Sequence, residues 1–436
     1  MKAEILTIGD EVMRGEIVDS NKSFLSERLL TLDVETRFHA SVRDDPDDMR
    51  DAFRRAAERS DVVLVSGGLG PTRDDLTTEV LAASFGRKLF LHEPSRAALT
   101  RFYEAVGRVM PPNNLKQAYF PEGADVLPNP IGTAPGFALE AGRAIFYVLP
   151  GVPRELVKMM DEQVLPRLAA RRGSHAGAAG GDVVRARLLR TFGTGESALD
   201  DALRDVAAGG YGAGPSDVIL GFRTAFPDNY LRPLARAKTI SEADAKLARV
   251  CEAIRTRLGA VVYGEGDDTM EVVVGRLLRE RGRTLAVAES CTGGLVAQKI
   301  TSVAGSSDYF LGGVVAYANA AKEALLGVPR DLLAQHGAVS EPVARAMAEG
   351  VRARFGADLA VSTTGISGPG GGTAEKPVGL VFVGFADATR THVDRFVFPF
   401  DRERHRVLTA QLALDWVRRA LLDEPLESPQ ISRRKA

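Results

Sequence analysis

The chain has 436 residues, of which 45% are apolar and 26% charged, with a formal net charge of −1. At roughly 100–200 residues per domain this predicts about three globular domains, each able to bury its own core. The near-neutral balance excludes a global field drawing the protein to nucleic acid or an anionic membrane. The two cysteines, Cys251 and Cys291, do not make a disulfide framework or a zinc knuckle and point to the reduced cytoplasm. No basic stretch followed by a long apolar one marks a secretory signal, and no apolar run nears the ~20 residues of a membrane span.

From the start, strand-like and helix-like segments alternate. EILTIGD reads as a buried strand, and Ser20 to Leu32 as a helix with Phe24, Leu25, Leu29 and Leu32 on one side. ETRFHASV is the next strand, Asp45 to Arg59 the next helix, and DVVLVSGG a strand running into glycines. The rhythm predicts an open parallel sheet with its ligand edge at the strand C-termini. Arg171 to Asp182 is small, polar and glycine-rich, and reads as a linker. Val183 to Val262 follows as a small α+β module: strand VVRARLLRTF, helix Glu196 to Val206, strands DVILGFRTAF and YLRPLARAKT, and a helix from Ser241 to Leu258. YGEGDD reads as a loop before the last unit, where β/α alternation returns with TLAVAES, GGVVAYA, DLAVSTTG, VGLVFVGFA and VDRFVFPF. Val407, Ala410, Leu414, Val417 and Leu421 mark the buried side of a closing helix, and PLESPQISRRKA is a tail.

Two regions carry chemistry. In SGGLGPTRDDLTTE, a strand turns toward a helix through closely spaced glycines that let a phosphate approach the backbone. Asp74 and Asp75 stand at that mouth, where a divalent metal could bridge protein and pyrophosphate. The motif is neither a P-loop nor a dinucleotide fingerprint. The GDE of the first strand end, Asp44 and Asp45, NPIGTAPG and LPGVPRE converge on the same sheet edge. In the last unit, AESCTGGLVA delivers Ser290 to a turn before a helix, whose first N–H groups could stabilise an oxyanion; Ser290 or Thr292 could equally be a helix cap. No histidine lies near the motif, since His336, His392 and His405 fall elsewhere. Lys322, just after a strand expected to neighbour the first, is the better base, because desolvation lowers a lysine pKa. Cys291 is a rival nucleophile that reads more readily as a small buried residue. STTGISGPGGG supplies a further glycine loop.

These motifs resemble the CinA (competence/damage-inducible protein A) family along nearly the whole chain. GDE…GEIVDSN, GGLGPTRDDLT, NPIGTAPG and LPGVP are similar to its N-terminal molybdopterin-binding-like domain, and AESCTGG, Tyr317–Asn319–Lys322, GAVSEPVA and TGISGPGGG to its C-terminal domain. The resemblance implies a three-layer α/β/α domain over 1–170, a KH-like α+β module over 183–262 and an α/β domain over 269–424. It also implies two hydrolyses. One is metal-dependent cleavage of ADP-ribose to AMP and ribose 5-phosphate, with Asp10, Asp44, Asp74 and Asp75 as metal or acid candidates. Gly67, Gly68, Gly70 and Thr72 would form the phosphate cradle, with Asn129 and Thr133 on the substrate side. The other, needing no cofactor, is deamidation of nicotinamide mononucleotide by Ser290 as nucleophile and Lys322 as base. Its pocket candidates are Tyr317, Thr292, Gly293, Thr364 and Gly365, with Arg402 and Arg406 for the substrate phosphate. Met13-Arg14 replaces small apolar residues of the family, and Phe400 stands where its GDRxxxR motif has glycine.

The resemblance implies a cytoplasmic homodimer acting on small nucleotides. Gly209-Gly210-Tyr211-Gly212 matches the GxxG loop of KH folds but lacks flanking basic residues, so the middle module reads as a spacer or dimerisation element rather than a nucleic-acid binder. A pterin-handling enzyme and a non-catalytic competence or recombination adapter are the alternatives.

Overall fold

A strand that is apolar at successive positions needs cover on both faces of its sheet. In the computed structural model β1 (Lys2–Ile8), β2 (Glu35–Val42) and β3 (Val62–Ser66) lie side by side, and every residue of β3 is buried. Residues 1–175, 183–208 and 218–426 are described. They divide into two units, Met1–Arg185 with Arg236–Ala243, and Ala186–Ala235 with Asp244–Ala436.

In the first unit, β4 (Leu89–Leu91) and β5 (Tyr119–Pro121) form a separate ribbon, while β6 (Asp125–Leu127), β7 (Gly136–Ala141) and β8 (Ala144–Leu149) complete the main sheet in the order β2-β1-β3-β8-β7-β6. The first four of these are parallel, and β7 and β6 run antiparallel. The expected open parallel sheet is therefore corrected at one edge. Only Gly142 and Arg143 join β7 to β8, too few for a parallel crossover, and Gly142 takes the left-handed φ of 62° that so tight a hairpin requires. Side chains of β1 alternate between two cores: Leu6 joins Phe53 and Phe146 on one face, Ile5 joins Leu25 and Leu156 on the other. Helix Pro46–Arg59 begins where Asp45 accepts from the N–H groups of Asp47 and Asp48, with proline at the first position. It buries Met49, Phe53, Ala56 and Ala57 at helical spacing. Helix Leu165–His175 takes in the first residues of the stretch read as a linker; 176–182 lie outside the described residues.

In the middle module, β9 (Val183–Ala186) and β10 (Leu189–Thr191) split the run expected as one strand. The helix expected from Glu196 to Val206 likewise divides into Glu196–Ala202 and Arg204–Ala207. β11 (Val218–Ala225) and β12 (Asp228–Ala237) form a hairpin, and helix Ile240–Leu258 leads to β13 (Val262–Glu265). The strands order β11-β12-β10-β13 and pair antiparallel. Tyr263, Gly264 and Glu265, read as loop, are thus sheet residues, Gly264 and Glu265 paired with β10, and the turn begins at Gly266, φ 58°. The GxxG tetrapeptide lies outside the described residues.

The last sheet holds β14 (Leu285–Glu289), β15 (Phe310–Val315), β16 (Leu359–Gly365), β17 (Leu380–Ala386) and β18 (Thr391–Val397) in the order β15-β14-β16-β17-β18. β15, β14 and β16 are parallel; β17 and β18 return antiparallel. Helix Arg402–Leu421 is more deeply set than a one-sided pattern implies. Val407 is only partly covered, yet from Leu408 to Arg419 every residue is buried, polar Gln411 and Asp415 included. Asp415 answers the buried cations by accepting from Arg418 and Arg419 at 2.6–2.8 Å. The core around Trp416 extends through Phe385 and Phe396 to Phe192 and Tyr263 of the middle module. Among the described residues no helix is long and apolar enough to cross a membrane.

Candidate active sites

In the first unit, β1, β2, β3 and β8 all end on one edge, so the segments that follow them meet there. They line a cleft of about 440 Å³ whose walls include Gly67, Gly68, Gly70, Thr72, Asp44, Asp74, Asp75 and Thr133. Gly67 and Gly68 hold φ of 109° and 68°, and a Cβ on either would collide with the Ile8 carbonyl or the Thr77 hydroxyl. The cradle is thus backbone-lined for a steric reason. The helix expected directly behind it starts only at Thr77, whose N–H is already bonded to the Gly68 carbonyl. Any anion would meet the loop before the helix dipole.

The four aspartates do not form one set. Among the described residues no three His, Cys, Asp or Glu side chains are gathered as an ion cage. Asp10 is outside the cleft lining, salt-bridged to Arg14 at 2.6 Å and to Arg43 at 3.3 Å. The hydrogen bond from Arg43 leads the influences that hold its carboxyl below the usual range. Asp75 turns inward, accepting from the N–H of Thr72 at 2.8 Å. Asp44 differs: burial pushes its carboxyl up, and the negative charges of Glu11, Asp10 and Asp74 add to that despite the N–H it accepts from Asp10. A half-buried carboxylate crowded by acids, beside a second carboxylate on the same cleft wall, suits a cation that completes its shell with substrate phosphates. Asn129 also lies outside the cleft. Its amide ties Glu155 at 2.8 Å to the Ala134 carbonyl at 3.0 Å and orders the NPIGTAPG turn. Glu155, only 9% exposed on the cleft wall, was missed in the sequence because a glutamate after a proline reads as an ordinary first-turn residue.

In the second unit, parallel β14 and β15 leave Ser290 and Lys322 on a common edge. Ser290 follows β14 immediately, its N–H donating to the Thr363 carbonyl of β16 at 2.9 Å. Lys322 sits in the first turn of helix Asn319–Leu326 after β15, and its side chain folds back under the sheet edge, 1% exposed. Its Nζ lies 3.1 Å from Ser290 Oγ, 2.7 Å from the Ala316 carbonyl and 3.4 Å from the Tyr317 carbonyl. Burial drives the lysine pKa down. Protonated, Nζ donates to all three oxygens; once deprotonated it keeps two N–H groups for the carbonyls and can turn its lone pair to the serine hydroxyl. Ser290, Lys322, Tyr317, Thr364, Gly365 and Arg402 line a cavity of about 280 Å³ with Ala338, Val339 and the loop from Ile366 to Gly371. Arg402 stands at its rim, donating to the Gly368 carbonyl at 2.9 Å and the Tyr317 hydroxyl at 3.1 Å.

Thr292, Gly293 and Arg406 stand outside the cavity lining. The Thr292 hydroxyl is fully buried against that of Thr363 at 2.7 Å, and Arg406 donates to the Thr292 carbonyl at 2.8 and 3.1 Å. They brace the serine turn rather than face a ligand. The helix end expected to hold an oxyanion is occupied. Glu289, 1% exposed, accepts from the N–H groups of Gly294, Val296 and Ala297 at 2.8–3.1 Å. The carboxylate takes the place an anionic ligand would have at that terminus. Cys291 is buried, and burial pushes its thiol up to about 12, so it holds no thiolate at neutral pH. His405 is fully buried between Ser367 Oγ at 2.9 Å and the Gly379 carbonyl at 3.1 Å, fastening both ends of the glycine loop.

Comparison with known proteins matches the chain in three stretches. Residues 4–170 match the model of a probable molybdopterin binding domain, 186–264 that of the damage-inducible protein CinA KH domain, and 267–421 that of the CinA C-terminal domain. A CinA-like protein of Anaeromyxobacter sp. (strain Fw109-5) is 47% identical over 97% of this chain and 99% of its own length. One of Geobacter sulfurreducens is 43% identical over 97% of this chain and 100% of its own. A solved structure of CinA from Thermoplasma acidophilum, 36% identical, covers 38% of this chain and 97% of that one with a TM-score of 0.36. The chain belongs to the CinA family, with a molybdopterin-binding-like domain, a CinA KH domain and a CinA C-terminal domain in that order.

Proposed function

We propose that the second unit is a nicotinamide-nucleotide amidohydrolase that converts nicotinamide mononucleotide and water to nicotinate mononucleotide and ammonia. The observation that carries this reading is the buried Lys322 amine beside Ser290, with no histidine bonded to either among the described residues. Ser290 Oγ attacks the carboxamide carbon while Lys322 takes its proton, and the tetrahedral adduct collapses as that proton passes to the departing ammonia. Water, deprotonated by the same amine, then cleaves the acyl-serine. With the helix terminus filled by Glu289, oxyanion donors come from the serine turn and the glycine loop. Arg402 offers the charge that a substrate phosphate needs at the cavity mouth. The test is ammonia release from nicotinamide mononucleotide by purified protein. Silence from a folded, soluble preparation would make the serine site a binding pocket.

We further infer that the first unit hydrolyses the pyrophosphate of ADP-ribose. The backbone cradle of Gly67, Gly68 and Gly70 supports this, as does the crowded Asp44 beside Asp74. A divalent ion, held there by Asp44 and Asp74, would polarise the phosphoryl group and neutralise its charge. Asp44→Asn should lower AMP release from ADP-ribose by on the order of tenfold to a hundredfold, and raise the metal concentration needed for half the maximal rate. Unchanged metal dependence would remove Asp44 from the ligand set. A pterin that co-purifies, with no AMP released, would favour the pterin-handling reading.

A further inference from the structure

The tip of the β11–β12 hairpin in the middle module does not end in solvent. Phe226 packs edge-on against Phe400, ring centroids 5.3 Å apart, and the Arg404 guanidinium lies 5.6 Å above the Phe226 ring. Two residues on, Asp228 is 7% exposed and accepts from Gln411 Nε2 at 2.8 Å and from Tyr263 Oη at 2.6 Å. Phe400 immediately precedes helix Arg402–Leu421 and its Asp401 cap, and Gln411 lies in its third turn. The two contacts therefore bracket the stretch that carries Arg402.

We propose that this hairpin is a positioning element for the serine site, with Phe226 and Asp228 acting through Phe400 and Gln411 to fix the start of the helix and, with it, Arg402 at the cavity mouth. The assignment rests on the amidohydrolase reading for its kinetic consequence only. Arg402 is solvent-facing, and its hold on the Gly368 carbonyl and Tyr317 hydroxyl depends on where its helix begins. Nothing in the hairpin reaches the reacting atoms, so its loss acts on substrate capture and leaves the Ser290–Lys322 pair unchanged.

Full-length Phe226→Ala, Phe226→Tyr and Phe400→Gly variants would be compared with wild type for ammonia release from nicotinamide mononucleotide. Hydrogen exchange would be followed in parallel over residues 400–408 and 366–371. Phe226→Ala and Phe400→Gly should raise KM on the order of tenfold with kcat within about twofold, the signature of lost binding without lost chemistry. Phe226→Tyr, which keeps the ring, should restore KM. Exchange should quicken in both segments while that of β14 and β16 holds. Unaltered KM with unaltered exchange overturns the proposal, and so does a uniform rise in exchange with kcat falling, which would mark general unfolding. A wild type that releases no ammonia sinks the amidohydrolase reading alone. Exchange at 400–408 and 366–371 then decides the positioning role without it.

Discussion

Ser290→Ala should abolish ammonia release from nicotinamide mononucleotide, lowering kcat by at least about 10³-fold, and Lys322→Met should do nearly the same. Among the described residues the serine is the only hydroxyl bonded to the buried amine, and the amine the only base bonded to the serine, so each should be idle without the other. The double variant should accordingly be no slower than either single one. The pH profile separates their roles. Burial lowers the Lys322 pKa, so kcat/KM should climb with pH along a limb centred below lysine's ordinary value of about 10.4. A folded-state pKa below the unfolded one also means that the unfolded chain binds the extra proton in that window. Stability then rises with pH from the depressed value up to the ordinary one. Lys322→Met should lose that slope and melt higher than wild type at neutral pH. If the double variant were slower than both single ones by the product of their effects, Ser290 and Lys322 would be acting separately and the dyad would fall.

Glu289→Ala strikes stability and activity together. Its carboxylate satisfies three N–H groups at the start of helix Leu295–Thr301, that of Val296 buried and those of Gly294 and Ala297 half-buried, and alanine leaves them without an acceptor. At roughly 1–3 kcal/mol for each group left unsatisfied, less what entering water recovers, a loss of about 4 kcal/mol follows. That corresponds to a fall in Tm of roughly 10 °C for a unit of this size. The serine turn is attached to the same strand end, so turnover should drop even well below the new Tm. Glu289→Gln keeps one acceptor oxygen and should recover part of both. A calorimetric scan alongside ammonia release would decide it: a Glu289→Ala protein with unchanged Tm would mean that water replaces the carboxylate.

Much of the site was legible because its parts are local. Ser290 and the glycines of the two loops announce themselves as strand-to-turn punctuation, and the strand before Lys322 does pair beside β14. What the sequence hid was direction. Nothing in DRERHR says that Arg402 reaches the cavity rim while Arg406, one turn on, faces back to Thr292. Nothing in AESCTGG says that its glutamate fills the helix terminus left for a ligand. Both outcomes depend on which partner lies across the fold. The same holds for Asp10, which shares an edge with Asp44 yet is claimed by Arg14 and Arg43. Sheet polarity was half readable: the parallel strands follow from alternation with helices, but β8 runs antiparallel to β7 and β18 to β17 because connections of two and four residues cannot cross over. Val407 was misplaced on the closing helix because a helix buried nearly all round has no apolar stripe to read.

The core that joins Trp416 to Phe192 and Tyr263 counts the chain differently from its three family domains. Residues that share one core gain or lose it together, so the middle module and the last sheet should melt as a single cooperative transition, and the first unit should contribute another. A protease cut between 264 and 267, at the seam of two family matches, would then release no independently stable fragment.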